Sequence, residues 1–262
     1  MKSLKKYVAT LILGFSTCQL QAQVIAPYLT KIDFNTDIDY LLNGISIFYN
    51  DEMVDNLDGV LDVTVSPLNI RNLRDAKIDG FHRDDNGRRY FSFDADTRVN
   101  GGLVLKSDII RCENIDCSST VLFFDANALN LKTVNINAFT LDPDNGDLIF
   151  SIASDAVITG SIFLAADLIR FDGSNFSLEY NSLSDNLSRS QNIDALTLLP
   201  NNRYLASFDK EGTAHEIFEY DRLAGIWGVA YTPLLFSNAQ NNVNLNSLMA
   251  FENDVIFKNG FE

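Results

Sequence analysis

Ile136-Asn137-Ala138-Phe139-Thr140-Leu141 is followed by the polar run Asp142-Pro143-Asp144-Asn145-Gly146-Asp147 and then by Leu148-Ile149-Phe150-Ser151-Ile152. Two β-rich runs around Asn-Gly predict a hairpin, because a type I′ turn needs positive φ at both central residues and Asn and Gly tolerate it. The pattern recurs at a period near 57 residues. Its first element appears as Ile78-Asp79-Gly80-Phe81, as Ile193-Asp194-Ala195-Leu196 and, more faintly, as Leu245-Asn246-Ser247-Leu248. Each copy leads through a polar turn to a second apolar run, Tyr90 to Phe93, Leu205 to Phe208 and Val255 to Phe257. Self-similarity at this period is the signature of a repeat architecture and has to be read before any motif.

Two further runs complete the unit. Asp108-Ile109-Ile110-Arg111-Cys112 matches Asp167-Leu168-Ile169-Arg170-Phe171 and, less closely, Glu216-Ile217-Phe218-Glu219-Tyr220. The loop before it repeats as well, with Asp96, Val99, Gly101, Leu103 and Leu105 answering Asp155, Ile158, Gly160, Ile162 and Leu164. An aromatic strand opens each unit, seen as Ser46 to Tyr49, Val121 to Phe124, Phe176 to Tyr180 and Pro233 to Phe236. Four short strands per unit is the content of a propeller blade. The sequence therefore predicts an all-β chain, a β-propeller-like ring of about four four-stranded blades. Its repeat units are about 46–112, 120–171, 176–221 and 231–257 plus 28–33, in a single domain over 23–262. Residues 51–77 read as an oversized insertion in the first unit. Tyr28 to Asp33 resembles Glu216 to Asp221, so the N-terminal strand is expected to complete the last blade and leave no open sheet edge. An incomplete propeller that dimerises and a sandwich of repeated hairpins are the other architectures open to this pattern. The small residues Gly80, Ala138, Ala195 and Ser247 at one register position predict first strands that approach closely.

The 262 residues carry 20 Lys+Arg against 35 Asp+Glu, a formal net charge of −15, with 46% hydrophobic content. That apolar fraction supports a buried core. The acidity argues against a nucleic-acid partner, because a phosphate backbone requires a basic stripe. The one basic cluster, Lys2, Lys5 and Lys6, precedes an apolar run from Tyr7 to Phe15 and a small-residue site at Leu20-Gln21-Ala22. This arrangement reads as a signal peptide over 1–22 cleaved after Ala22, with lipoprotein processing at Cys18 as the rival reading. Removal of 1–22 would take three lysines and no acid, moving the formal charge from −15 to −18. No stretch reaches the ~20 apolar residues of a membrane-spanning helix, so no integral membrane segment is expected. The expected location is exported: extracellular, cell surface or periplasm. Cys112 and Cys117 remain as an even pair, which in an oxidising compartment predicts a local disulfide.

Chemistry is harder to place. Asp142 to Asp147 resembles a calcium loop but lacks Gly at its sixth position and Glu at its twelfth, so it reads as turn chemistry. Asp96 with Asp155, and Asp108 with Asp167, could line a shared cation or sugar site, although an Asp beside a strand end more commonly accepts backbone N–H groups. His82 reads as structural, and His215 precedes the strand at Glu216. Trp227 reads as core, with a stacking platform as the alternative, and is placed in a connection between units. No catalytic, cofactor-binding or metal residue is assigned, and no cofactor is expected.

Asp-x-x-Ile-x-Gly followed by Asp-Leu-Ile-Arg-Phe-Asp-Gly-Ser, spanning Asp155 to Ser174, resembles an uncharacterised class of secreted bacterial β-propeller-like repeat proteins. So does Ile193-Asp194-Ala195-Leu196-Thr197-Leu198-Leu199-Pro200. The tail Val255-Ile256-Phe257-Lys258-Asn259-Gly260-Phe261-Glu262 is similar to an Ile-Phe-x-x-Gly-Phe-Glu ending on exported gammaproteobacterial proteins. The resemblance implies a cell-surface or extracellular protein and no established activity. Two functional expectations follow: a non-enzymatic binding or structural protein holding a protein or glycan, and, as the alternative, a carbohydrate-active enzyme with carboxylates at the propeller axis.

Overall fold

The computed structural model describes residues 29–36, 40–42, 45–47, 52–55, 61–65, 77–114, 117–185, 191–199, 203–209, 216–221, 224–231 and 245–252; before residue 77, and in 245–252 apart from Leu248, the description is of the backbone. The expected signal peptide with Cys18 and Ala22, His215, Pro233 to Phe236 and the tail from Val255 lie outside these residues.

The regular structure of the described residues is all strand, apart from one short 3-10 turn at Ser182–Asp185. The strands are β1 (Leu29–Thr36), β2 (Tyr40–Leu42), β3 (Ile45–Ile47), β4 (Glu52–Asp55), β5 (Leu61–Val65), β6 (Ile78–Arg83), β7 (Arg89–Phe93) and β8 (Thr97–Val99). They continue as β9 (Gly102–Val104), β10 (Ile109–Cys112), β11 (Thr120–Phe124), β12 (Ile136–Leu141), β13 (Leu148–Ile152), β14 (Ala156–Ile158), β15 (Ser161–Phe163) and β16 (Leu168–Phe171). The last are β17 (Phe176–Tyr180), β18 (Ile193–Leu199), β19 (Arg203–Phe208), β20 (Ile217–Asp221), β21 (Ile226–Tyr231) and β22 (Leu245–Glu252).

Apart from three two-stranded hairpins, β2-β3, β8-β9 and β14-β15, they assemble into four four-stranded antiparallel sheets, β6-β7-β10-β11, β12-β13-β16-β17, β18-β19-β20-β21 and β22-β1-β4-β5. We call these the first, second, third and terminal sheets. The repeat seen in the sequence is thus a repeat of whole sheets. Their first strands are neighbours in order, β6 beside β12, β12 beside β18, β18 beside β22 and β22 beside β6.

The same irregularity marks every first strand. Pairing skips one residue between Ile78 and Gly80, between Ile136 and Ala138, and between Ile193 and Ala195, leaving Asp79, Asn137 and Asp194 on the bulge. The terminal sheet skips at the same place, where Leu245 pairs with Thr36 and Ser247 with Asn35. A bulge adds local twist, which sheets packed face to face require. Opposite it sit Ser92, Ser151 and Ser207, all buried. Gly80 is required where it stands, because a Cβ there would lie 2.6 Å from Phe139 Cδ1 of the second sheet and 2.6 Å from Ser92 Oγ.

Face-to-face packing explains the continuous apolar runs, since both surfaces of the inner strands are covered. All five residues of β7 and of β13, and all seven of β18, are buried. One face of the second sheet gives Phe139, Phe150 and Ile169 to a core shared with Tyr90, Ile109 and Phe124 of the first. Its other face gives Ala138, Ile149 and Leu168 to a core shared with Leu196, Tyr204 and Phe208 of the third.

The structure corrects several expectations. β1 is the second strand of the terminal sheet, paired with β22 on one side and β4 on the other, and does not occupy the third-strand place suggested by its likeness to β20. The N-terminal region supplies three strands to that sheet, β1, β4 and β5, so the stretch read as an insertion over 51–77 contains its third and fourth strands. The run read as an aromatic strand at Ser46 begins within β3, which forms a small hairpin with β2. The fourth strand of the third sheet is β21, which carries Trp227. The two described turns after first strands, those following β6 and β12, also differ from type I′. Within them only Gly87 and Gly146 have positive φ, at 77° and 79°, because the Asp84 and Asp142 carboxylates accept backbone N–H bonds from Asn86 and Asp144 and build a longer loop. The two-residue turns with both φ positive occur elsewhere, at Asn100-Gly101 and Thr159-Gly160, which close the small hairpins β8-β9 and β14-β15.

Candidate functional site

Antiparallel order gives the sheets two ends. At one, first strands begin, second strands finish and the small hairpins stand; at the other, the tight turns lie. We call them the hairpin end and the turn end.

The acids that repeat in the sequence hold backbone together at the hairpin end. Asp108 Oδ2 accepts from Leu105 N at 2.9 Å and its Oδ1 from Ala126 N at 3.0 Å. Asp167 does the same with Leu164 N and Ser182 N, both at 2.9 Å, and accepts from Ser182 Oγ at 2.7 Å. Asp96 and Asp155 fix the bases of the small hairpins by accepting from Lys106 N and Ala165 N, each at 3.0 Å. The four therefore act as turn and hairpin locks, and the structure does not bring them together as a shared site.

The bulge residues are brought together. Asn135 Nδ2, just ahead of β12, donates to Asp79 Oδ2 at 3.2 Å, joining first and second sheets. Asn137 Nδ2 donates to Asp194 Oδ1 at 2.7 Å and to Ile193 O at 2.9 Å, joining second and third. Asn135 Oδ1 is buried with no hydrogen-bond partner among the described residues. Burial pushes the Asp79 carboxyl up to about 7, and the charges of Asp94 and Asp194 add to the rise, against the pull of Asn135 and Lys77. Asp79 can therefore hold or exchange a proton near neutral pH, with Asp194 as a neighbouring charge. Sequence reading missed this group because the bulge that selects Asp and Asn is invisible without the pairing register.

The small hairpins also stand at this end, with Leu103 opposite exposed Arg98 on the first and an aliphatic pair on the second. Leu103 is 60% exposed, and the cross-strand partners Val157 and Ile162 are 66% and 73% exposed. Ile136 N donates to Lys106 O at 3.2 Å, so the first hairpin's base abuts the strand carrying Asn137.

At the turn end, Asp142 and Asp147 face a guanidinium, which resolves the calcium-like run as turn and ion-pair chemistry. Arg170 Nη1 lies 2.7 Å from Asp142 Oδ2 and 2.8 Å from Asp147 Oδ2, and its Nε lies 2.8 Å from Glu179 Oε2. Burial works against the charge, but the three carboxylates outweigh it and hold Arg170 above its usual range. Tyr204 of the third sheet donates to Glu179 Oε1 at 2.5 Å. His82 is half-buried and links sheets: Leu198 N donates to Thr140 Oγ1, which lies 3.3 Å from His82 Nδ1. Burial lowers its pKa to about 4 against the pull of Asp84, so the ring is neutral at neutral pH. Trp227 donates through Nε1 to Tyr180 at 2.9 Å and packs on Phe208 and Tyr220, partly buried against the core shared by second and third sheets. Cys112 and Cys117 form the expected disulfide and are buried. No helix among the described residues is long and apolar enough to cross a membrane.

No protein-family model matches the chain, and no curated protein matches it. Among solved structures it is similar to a protein of unknown function from Bacteroides thetaiotaomicron, with 10% identity and a TM-score of 0.37, covering 73% of this chain and 46% of that one. It is also similar to an auxiliary nutrient binding protein from Bacteroides ovatus, with 11% identity, a TM-score of 0.35, and coverage of 79% and 47%. A third is virginiamycin B lyase from Staphylococcus aureus, with 14% identity, a TM-score of 0.32, and coverage of 79% and 58%. The chain thus spans about half the length of these structures.

Proposed function

We propose that this is an exported, non-enzymatic binding protein built as a four-bladed propeller ring, which takes a protein or glycan ligand at its hairpin end. The ring reading is supported by the neighbour order of the four first strands and by the shared bulge. Export is supported by the buried Cys112–Cys117 bridge, by the basic and apolar N-terminal pattern ending at Ala22, and by the similarity of the tail to exported proteins. The binding reading is carried by one observation. The repeated acids are spent on backbone donors, whereas Asp79, Asn135, Asn137 and Asp194 gather acceptors from three sheets at one end.

A second reading has its own support. A carboxyl holding its proton near neutral pH beside another carboxylate is the usual acid of a glycosidase pair, which would make Asp79 the general acid and Asp194 its partner at the ring axis. Purified chain 23–262, tested in parallel on a glycan array, a peptide panel and a chromogenic glycoside panel, separates the two. Binding without turnover supports the binding protein. Turnover abolished by Asp79→Asn establishes the enzyme.

A further inference from the structure

Three Asn-Gly pairs lie among the described residues: Asn86-Gly87 and Asn145-Gly146 in the turns after β6 and β12, and Asn100-Gly101 in the turn of the β8-β9 hairpin. An asparagine before glycine is open to attack on its own side chain, because the following residue has no Cβ to shield its backbone nitrogen. Attack needs the Asn Cγ to swing to within about 3–3.5 Å of that nitrogen, so a carboxamide held elsewhere by hydrogen bonds is withdrawn from the reaction.

Two of the three are held. Asn100 Nδ2 donates to Thr120 Oγ1 at 3.1 Å and to Cys117 O at 3.4 Å, which ties the amide to β11 and to the disulfide loop. Asn145 Nδ2 donates to Asp147 Oδ2 at 2.9 Å and its Oδ1 accepts from Asp147 N at 2.8 Å, while Asp147 is itself fixed by Arg170. Asn86 is exposed, and its carboxamide has no hydrogen-bond partner among the described residues; its backbone N–H alone is engaged, with Asp84 Oδ1 at 2.9 Å. The glycine nitrogens do not distinguish the two longer turns, because Gly87 N donates to Asp84 O and Gly146 N to Asp142 O, each at 2.8 Å. The residue after glycine does. Asp147 supplies the clamp in the second sheet, whereas exposed Arg88 stands in its place in the first, and a guanidinium has no acceptor to offer the Asn86 amide. A Cβ at Gly87 would meet nothing within 4 Å, so the ring can close in open space.

We propose that Asn86 is a site of spontaneous covalent modification, cyclising onto Gly87 and hydrolysing to aspartate and isoaspartate, while Asn100 and Asn145 are protected by the partners of their side chains. Gly87 N, losing its proton to solvent, bonds to Asn86 Cγ; the Cγ–Nδ2 bond breaks and ammonia leaves with a proton from water. Water then opens the cyclic imide at either carbonyl, and no oxidant or reductant takes part. Each product carries one more negative charge beside Asp84 and Asp85. In the isoaspartate form the main chain runs through Cγ, adding a carbon to a turn pinned by Asp84 N donating to Arg88 O at 3.0 Å. The modification stands apart from both readings of function.

Folded chain 23–262, aged at mildly alkaline pH and 18O-labelled water, then mapped by trypsin and mass spectrometry, tests it. Asn86 is expected to take up labelled oxygen at least about tenfold faster than Asn100 or Asn145. In guanidinium chloride, where the clamps are gone, the three rates should converge. Arg88→Asp restores an acid after the glycine and should slow Asn86 several-fold, whereas Arg88→Ala should leave it closer to the parent; Arg88 is exposed, and a melt confirms that both variants are folded. Equal rates at the three sites in the folded chain, an intact Asn86, rates that stay apart in denaturant, or Arg88→Asp converting as fast as Arg88→Ala overturns the proposal.

Discussion

Asp79 and His82 sit three residues apart on one strand and give the protein opposing responses to pH. Asp79, raised to about 7, binds a proton more readily folded than unfolded, so its contribution to stability falls as pH rises from about 4 through 7. His82, lowered to about 4, binds its proton less readily folded, so its contribution is lost as pH falls from about 6.5 towards 4. Asp79→Asn keeps an acceptor for Asn135 and removes the charge. It is expected to stabilise the fold by about 1–2 kcal/mol at pH 8 and by almost nothing near pH 4, read as the difference in Tm across a pH series. Gly80 offers a steric test at the same place. Gly80→Ala drives a methyl against the Phe139 ring and Ser92 Oγ and should cost about 1–3 kcal/mol in denaturant unfolding. The small residue at this position was legible in the sequence as Gly, Ala, Ala and Ser in four copies. The acid-amide group beside it was not, because its meaning depends on which residue each bulge leaves unpaired.

Among elements, the turn after β12 shows how far a local motif misleads when its partner is distant in sequence. Asp142 and Asp147 face Arg170, a residue of β16, and Arg170 in turn holds Glu179 of β17. Removing the guanidinium leaves three crowded and largely buried carboxylates, so Arg170→Leu is expected to cost about 3–5 kcal/mol in denaturant unfolding. The turn carrying the Cys112–Cys117 bridge closes a loop of a few residues, for which chain entropy predicts about 2 kcal/mol. Reduction under mild denaturant, or Cys112→Ser/Cys117→Ser, should lower stability by that amount without changing far-ultraviolet circular dichroism. The small hairpins were read as a repeated loop, although Asn100-Gly101 carried the two-residue turn signal. Thr159-Gly160 carried none, since Thr is an unusual residue at φ 48°. The hairpin turns proper were assigned the wrong type because the Asp side chains that enlarge them act through hydrogen bonds that no spacing rule records.

At the scale of the molecule, the repeat of four sheets was legible from a period near 57 residues, and the pairing of β1 with the last sheet from a likeness to β20 that named the wrong place in it. The partition of the terminal sheet was not legible. Its strand sequences have diverged furthest, and β1 resembles a third strand while pairing as a second. A disulfide across the two ends tests whether this pairing locks the fold. Asp33 and Met249 are direct backbone partners, so Asp33→Cys/Met249→Cys, oxidised, should raise Tm markedly by closing a loop over most of the chain, and reduction should return it. If oxidation leaves Tm unchanged, the terminal sheet does not open with the rest.

That sheet also sets a clock. Its first strand, β22, is the last of the described strands to be made, and its partner β1 is the first. At ~5–20 residues per second, on the order of 10–40 s separates synthesis of Thr36 from synthesis of Leu245. Through that interval β1 lacks its innermost partner and the nascent chain cannot complete its fold. A ribosome-bound chain therefore lacks a complete terminal sheet until β22 arrives, and truncation before Leu245 should yield a chain that proteases clear.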